Sequence, residues 1–145
     1  MDTRLPSYVR LYETGELQQR AQEAMAWLTC CALCAQGCKV NRLEGELGVC
    51  RTGRFAVVAS FGRHFGEETV LVGTHGSGTI FFANCNLSCV FCQNCDISAG
   101  GLGIEVTGDE LAEMMLGLQK RGCHNINLVS PSHVECVVLM SRVEK

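Results

Sequence analysis

The N-terminal part of the chain carries apolar residues at helical spacing. Four of them recur every three or four residues and therefore share one side of a predicted helix. A stripe of this kind is typical of a helix that packs against a hydrophobic core. The four residues are Leu17, Ala21, Ala24 and Leu28.

Short apolar runs further along the chain predict β-strands. The runs at 55–61 (FAVVASF) and 79–83 (TIFFA) are rich in β-branched and aromatic residues, and 68–73 (ETVLVG) follows the same pattern. A further strand is predicted at 124–129 (HNINLV). The segment 134–140 (VECVVLM) predicts a second helix, with a strand as the alternative.

A capping box marks the start of the best-defined helix. Thr107 and Glu110 have the T-x-x-E spacing of this motif. The helix lies between the predicted strands 79–83 and 124–129, so the three elements predict a βαβ unit with parallel strands. Its apolar positions fall at i, i+3, i+4 and i+7, namely Leu111, Met114, Met115 and Leu118.

Two glycines and two histidines lie close to these strands. Gly76 and Gly78 do not form a phosphate-binding loop, because no lysine follows and the strand comes after the glycines. They instead predict a tight approach of the chain to the rim of a barrel. His75 and His124 are interpreted as structural groups rather than ligands.

Composition narrows the class of protein. Of the 145 residues, 47% are hydrophobic and 19% are charged, which indicates a folded chain with a buried core. The net charge of −3 gives no basic footprint for nucleic acid. No apolar run approaches the ~20 residues that a membrane span needs, and the N-terminus does not resemble a secretion signal. We therefore expect a cytoplasmic protein that binds neither nucleic acid nor membrane.

The cysteines favour metal binding over disulfides. There are 11 of them, an odd number, and they cluster at short range in a chain without a secretion signal. Reduced thiolates that bind metal fit this pattern better than a disulfide framework. We expect residues 1–54 to form an N-terminal helix and a cysteine-rich metal-binding lobe, and residues 55–145 to form the start of an α/β core.

The most informative motif is the cysteine triad Cys85, Cys89 and Cys92, with Phe91 before the last cysteine. A structural zinc site needs four ligands, whereas three thiolates on a four-iron cluster leave one iron open. A reducible cluster with one open iron indicates a catalytic site rather than a structural one. The alternative is a zinc site that Cys95 or a distant histidine completes.

A second set of cysteines lies at 30–50, here called the cysteine-rich block. Cys31, Cys34, Cys38 and Cys50 have spacings that suit a closed tetrahedral site, and Cys30 is an alternative to Cys31. The spacing does not distinguish zinc from a second iron–sulfur cluster. A set of packed free thiols is the third possibility, because cysteine is often buried.

The triad spacing Cys-x3-Cys-x-aromatic-Cys in CNLSCVFCQN resembles the signature of the radical S-adenosylmethionine (radical SAM) superfamily. Three blocks in order, 31–50, 76–98 and 124–133, resemble a branch related to pyruvate formate-lyase activating enzymes. The resemblance implies an α/β fold, the N-terminal portion of a partial (β/α) radical SAM barrel preceded by the cysteine-rich lobe. It also implies that this chain ends after about the second barrel strand.

The resemblance further implies an oxidoreductase that uses a 4Fe-4S cluster and S-adenosylmethionine. Cys85, Cys89 and Cys92 would hold the cluster, which cleaves S-adenosylmethionine reductively to a 5′-deoxyadenosyl radical. Phe91 would contact the bound nucleoside, and His133 would contribute to the cofactor site. The cysteine-rich block would hold zinc, a second cluster or no metal.

The implied partners are an electron donor such as flavodoxin or ferredoxin and either a glycyl-radical enzyme or the missing half of the barrel. Activation of a glycyl-radical enzyme is the implied reaction. A noncatalytic iron–sulfur or zinc-binding module, or an inactive fragment, is the alternative. Asn86, Gln93 and Asn94 are interpreted either as hydrogen-bond donors to cluster sulfurs or as turn-formers.

Overall fold

Helices dominate the start of the described chain and then alternate with strands. The structure, a computed structural model, describes residues 7–130. None of the helices in this range has the length and apolar character that crossing a membrane requires. The helices are α1 (Ser7–Glu13), α2 (Glu16–Ala26), α3 (Thr69–Val72), α4 (Cys95–Ser98) and α5 (Gly108–Lys120), with 3-10 turns at Trp27–Cys30 and Arg42–Glu44.

Helix α2 confirms the N-terminal apolar stripe. Gly15 takes a left-handed φ of 76° and lets the chain turn between α1 and α2. All four residues of the stripe are buried, three of them in α2 and Leu28 in the 3-10 turn that continues it. The helix therefore packs its predicted face against the rest of the protein.

The strands form one mixed sheet in the order β3-β1-β2-β4. Strands β2 and β4 are parallel, with Ile80 opposite Leu128, and α5 lies between them in the chain. This pair confirms the predicted βαβ unit. The strands are β1 (Ala56–His64), β2 (Ser77–Phe82), β3 (Ile104–Val106) and β4 (Ile126–Val129).

The other two strand pairs are antiparallel, so the sheet is not the parallel start of a barrel throughout. Strand β1 lies antiparallel to both β2 and β3. Its position at 55–61 was predicted, but it extends to His64, and only Ala56, Val57 and Val58 are buried. The described fold is therefore mixed α/β with a four-stranded mixed sheet.

The predicted strand at 68–73 is wrong, because this segment forms the short helix α3. Val70 and Leu71 are exposed, and Val72 is the buried residue of the helix. Gly73 ends the helix with a φ of 56°, a conformation that favours glycine. Local turn formation therefore prevails over strand formation in this segment.

Helix α5 packs on the sheet through its predicted apolar face. Thr107 and Glu110 form the full capping box, as the spacing predicts. Leu111 and Leu118 are fully buried and belong to the same hydrophobic core as Ile80 and Phe82. The predicted second helix at 134–140 lies outside the described residues.

Candidate metal centre

The triad lies in a loop that leaves the carboxyl end of β2 and is closed at its base. Asn84 has a left-handed φ of 62°, which asparagine tolerates better than most residues, and turns the chain out of the strand. The N–H of Asn84 donates to the carbonyl of Ile97 at 3.0 Å, and that of Cys85 donates to the carbonyl of Ser98 at 3.1 Å. These bonds hold the two ends of the loop together, so α4 lies beside the first cysteine.

The three triad cysteines line one pocket of about 300 Å³. Cys85 and Cys92 are half-buried, while Cys89 is exposed. Parallel α/β sheets place their sites at the carboxyl ends of strands, where this pocket lies. The pocket is lined by Val49, Arg51, Cys85, Ser88, Cys89, Cys92, Cys95, Ser98 and Ala99.

Hydrogen bonds reach two of the triad sulfurs. The backbone N–H of Leu87 donates to Sγ of Cys85 at 3.5 Å. The hydroxyl of Ser98 lies 3.4 Å from Sγ of Cys92. These contacts place polar groups beside the sulfurs of Cys85 and Cys92. Neither Ser98 nor the N–H of Leu87 was predicted to serve the triad.

Two further residues of the pocket lie beside the triad. Cys95, which the zinc alternative names as a possible fourth ligand, is exposed and lines the same pocket. Arg51 comes from the cysteine-rich part of the chain, and its Nη2 donates to the carbonyl of Ala99 at 2.5 Å. The pocket therefore combines four thiols with one cation.

Phe91 does not line this pocket. Its side chain is 86% exposed, and the neighbouring Val90 is exposed as well. His75 and His124 are exposed and also lie outside the pocket lining. His133 lies outside the described residues. The roles that the resemblance implies for Phe91 and His133 stay predictions.

The cysteine-rich block forms a compact loop of its own. The N–H of Cys31 donates to the carbonyl of Val40 at 3.0 Å, and the N–H of Lys39 donates back to Cys31 at 2.8 Å. Cys34 and Cys38 lie within the segment that these bonds close. The N–H of Val49 donates to Sγ of Cys38 at 3.4 Å and so brings the end of the block beside it.

A buried arginine lies among these cysteines. The side chain of Arg42 is 0% exposed, and its Nη1 donates to the carbonyl of Thr52. Burial opposes its charge, but the pKa of Arg42 is nonetheless raised, because the thiols of Cys31 and Cys50 interact with the guanidinium. Sequence reasoning missed Arg42, because its burial among the thiols depends on the tertiary fold and Lys39 is a second cation between the same two cysteines.

Asn86 connects the block to the triad loop. Its side chain makes the hydrogen bond that contributes most to lowering the pKa of Cys34, and this effect outweighs burial. The N–H groups of Gln36 and Gly37 and the charge of Arg42 act in the same direction. The carbonyl of Asn86 also accepts a bond of 3.0 Å from Nε2 of Gln36. Asn86 therefore joins the triad loop to the cysteine-rich block through hydrogen bonds.

The cysteines of both groups are close in the fold but are not arranged as finished ligand sets. Cys34, Cys38, Cys50 and the three triad cysteines are free thiols in the structure. In that range no three His, Cys, Asp or Glu side chains are gathered closely enough to hold a metal ion. Coordination at either group therefore requires the thiols to draw together.

Comparison with known proteins gives one informative similarity. A segment of 68 residues, 47% of this chain, is 52% identical to an uncharacterized protein of Methanocaldococcus jannaschii. The segment corresponds to 19% of that relative, so the chain spans about a fifth of the relative's length. No protein-family model matches the chain. No solved structure matches it either.

Proposed function

We propose that this chain is the cluster-binding part of a radical SAM protein, an oxidoreductase that cleaves S-adenosylmethionine reductively. In this proposal the βαβ unit of β2, α5 and β4 supplies the first strands of a partial (β/α) barrel. The observation that carries the proposal is that Cys85, Cys89 and Cys92 line one pocket at the carboxyl end of β2. The CNLSCVFCQN motif, with its resemblance to the superfamily, supports the same interpretation.

The donor chemistry of the pocket fits an iron–sulfur cluster. Thiolates are the ligands that such clusters require, and three of them leave one iron for another ligand. When bound, a reduced 4Fe-4S cluster would supply one electron to the sulfonium of S-adenosylmethionine and release methionine and a 5′-deoxyadenosyl radical. The electron would come from a donor such as flavodoxin or ferredoxin.

The protein groups around the pocket have electrostatic roles in this proposal. Arg51 lines the pocket and offsets part of the negative charge that several thiolates would gather there. The N–H of Leu87 and the hydroxyl of Ser98 lie at the sulfurs of Cys85 and Cys92. Hydrogen bonds to sulfur also tune the potential of a cluster. A glycyl-radical enzyme is the proposed acceptor of the radical, by resemblance.

Anaerobic reconstitution with iron and sulfide tests the proposal. We expect each full chain to take up about four irons and four sulfides. With dithionite as reductant, the reconstituted chain should form 5′-deoxyadenosine from S-adenosylmethionine. Cys89→Ala should lose both properties, because it removes one of the three thiolates. Cys30→Ala is the matched control, since Cys30 is also exposed but lines a different pocket. Equal iron uptake in wild type and Cys89→Ala would contradict the proposal.

Cys95 favours a second candidate function, a noncatalytic metal-binding module. Because Cys95 lines the same pocket as the triad, it could supply the fourth thiolate and close the site around zinc or a cluster. A closed site would leave no position for S-adenosylmethionine. Cys95→Ala separates the two functions: the enzyme should keep its cluster and its cleavage activity, whereas the binding module should lose its metal.

A further inference from the structure

Arg42 is a buried charged residue inside the cysteine-rich block. Its side chain is fully buried, and its Nε and Nη2 atoms have no hydrogen-bond partner. The ionisable groups that act most on it are the thiols of Cys31 and Cys50, not carboxylates. A buried cation without a compensating anion is destabilising, so such an arrangement persists where an anionic partner belongs to the site.

We propose that Cys31, Cys34, Cys38 and Cys50 bind one zinc ion as four thiolates and that Arg42 is the buried counter-cation of this site. Four thiolates on Zn²⁺ carry a net charge of −2, and the guanidinium reduces it to −1. The site is closed, so its role is structural. This inference is independent of the function proposed for the triad.

The surroundings of Cys38 bring its sulfur close to Arg42. A Cβ atom on Gly48 would lie 2.8 Å from Sγ of Cys38 and 2.7 Å from Nη2 of Arg42, so both side chains press against this glycine. The N–H of Val49 also donates to the same sulfur. The guanidinium therefore lies near one of the proposed ligands, and an N–H donor to that sulfur stabilises the bound thiolate.

Exposure of the four thiols is consistent with a closed site. Cys31 and Cys50 are buried, whereas Cys34 and Cys38 are half-buried. The paired bonds between Cys31 and the segment at Val40 and Lys39 hold the base of the loop. Within residues 7–130 the thiols are not yet gathered as a ligand set, so binding would draw Cys34 and Cys38 inward by changes of rotamer.

Cobalt substitution tests the coordination directly. The full chain, reduced and anaerobic, is titrated with Co²⁺, whose visible absorption distinguishes tetrahedral thiolate coordination from an octahedral aqueous ion. The titration uses a variant in which Cys85, Cys89 and Cys92 are all replaced by serine, so that the triad pocket cannot supply a thiolate ligand set. We expect this variant to bind one tetrahedral thiolate-bound Co²⁺ that is displaced by Zn²⁺, and the signal should persist when Cys30→Ser is added and disappear when Cys38→Ser is added. Absence of this spectrum from the triple variant, or its persistence after Cys38→Ser, would overturn the site.

Arg42 variants test the counter-cation. Arg42→Met keeps much of the side-chain volume and removes the charge, so competition with a zinc chelator should show an affinity reduced about 10- to 100-fold. Arg42→Lys retains the charge and should retain more of the affinity than Arg42→Met. The Co²⁺ spectrum of each variant shows whether the four thiolates still coordinate. Unchanged zinc affinity in Arg42→Met would refute the role of the guanidinium.

Discussion

Gly78 shows how one residue without a side chain fixes the approach of two segments. It lies in β2, and its N–H donates to the carbonyl of Asn125 at 3.2 Å. A Cβ atom at this position would lie 2.8 Å from that carbonyl oxygen and 3.2 Å from Cβ of Cys123. Gly78 therefore lies where a side chain has no room, beside the chain that enters β4.

Gly78→Ala should destabilise the protein, because the added methyl group meets backbone that cannot move aside cheaply. We expect a loss of about 1–3 kcal/mol in the free energy of unfolding, measured by urea denaturation. Gly62→Ala is the matched control, since Gly62 lies in the neighbouring strand β1 with nothing within 4 Å of its added Cβ. Equal losses in the two variants would contradict the steric account.

The first turn of α5 shows how a short sequence motif determines where an element begins. Both N–H and hydroxyl of Thr107 donate to Glu110, at 2.7 and 2.8 Å, and Oγ1 of Thr107 accepts from the N–H of Glu110 at 3.3 Å. The backbone bond from Thr107 contributes most to lowering the pKa of Glu110, and the hydroxyl of Thr107 adds to it. The carboxylate is therefore part of the helix cap.

Glu110→Gln should reduce stability in a pH-dependent way. The folded pKa of Glu110 lies below its ordinary value of 4.5, so the charged cap stabilises the protein above that pH. The contribution is lost as the pH falls through the lowered folded pKa. Urea midpoints of wild type and variant should therefore differ at pH 7 and converge in acid. Glu113→Gln is the control, because it removes the same charge from an exposed position on α5. If the urea midpoints of wild type and Glu110→Gln differed by the same amount at both pH values, the charged cap would not be the cause.

Elements with a strong period or a capping motif could be predicted from the sequence. The stripe of α2 and the capped helix α5 are examples, because apolar spacing and Thr107 act locally. Strand β3 was missed because three residues carry no period, and it exists only through its pairing with β1. Within the site the cysteine positions were visible, but the approach of Cys95 and Arg51 to one pocket depends on the tertiary fold.

At the scale of the whole molecule, the cysteine-rich block and the triad loop support each other. Gln36 bonds to Asn86, and Nη2 of Arg51 donates to Ala99 at the end of the loop. Val49 and Arg51 then form one side of the triad pocket. Metal binding in the block would therefore stiffen one wall of the triad site.

Arg51→Ala should loosen the triad loop, because it removes the bond to the Ala99 carbonyl. We expect faster amide hydrogen exchange across 85–99, measured by mass spectrometry, with little change in β1 and β2. Arg54→Ala is the control, because Arg54 instead lies over the ring of Phe55. Unchanged exchange across the loop in Arg51→Ala would show that this contact does not hold it.

Electron paramagnetic resonance of the reduced, reconstituted chain tests the central claim most directly. Three thiolates on a four-iron cluster leave one iron open, and an open iron responds to a new ligand. We therefore expect a 4Fe-4S signal whose shape changes when S-adenosylmethionine is added, in wild type and in Cys95→Ala. A cluster signal that stays identical with and without S-adenosylmethionine, or bound zinc with no cluster signal, would contradict the account.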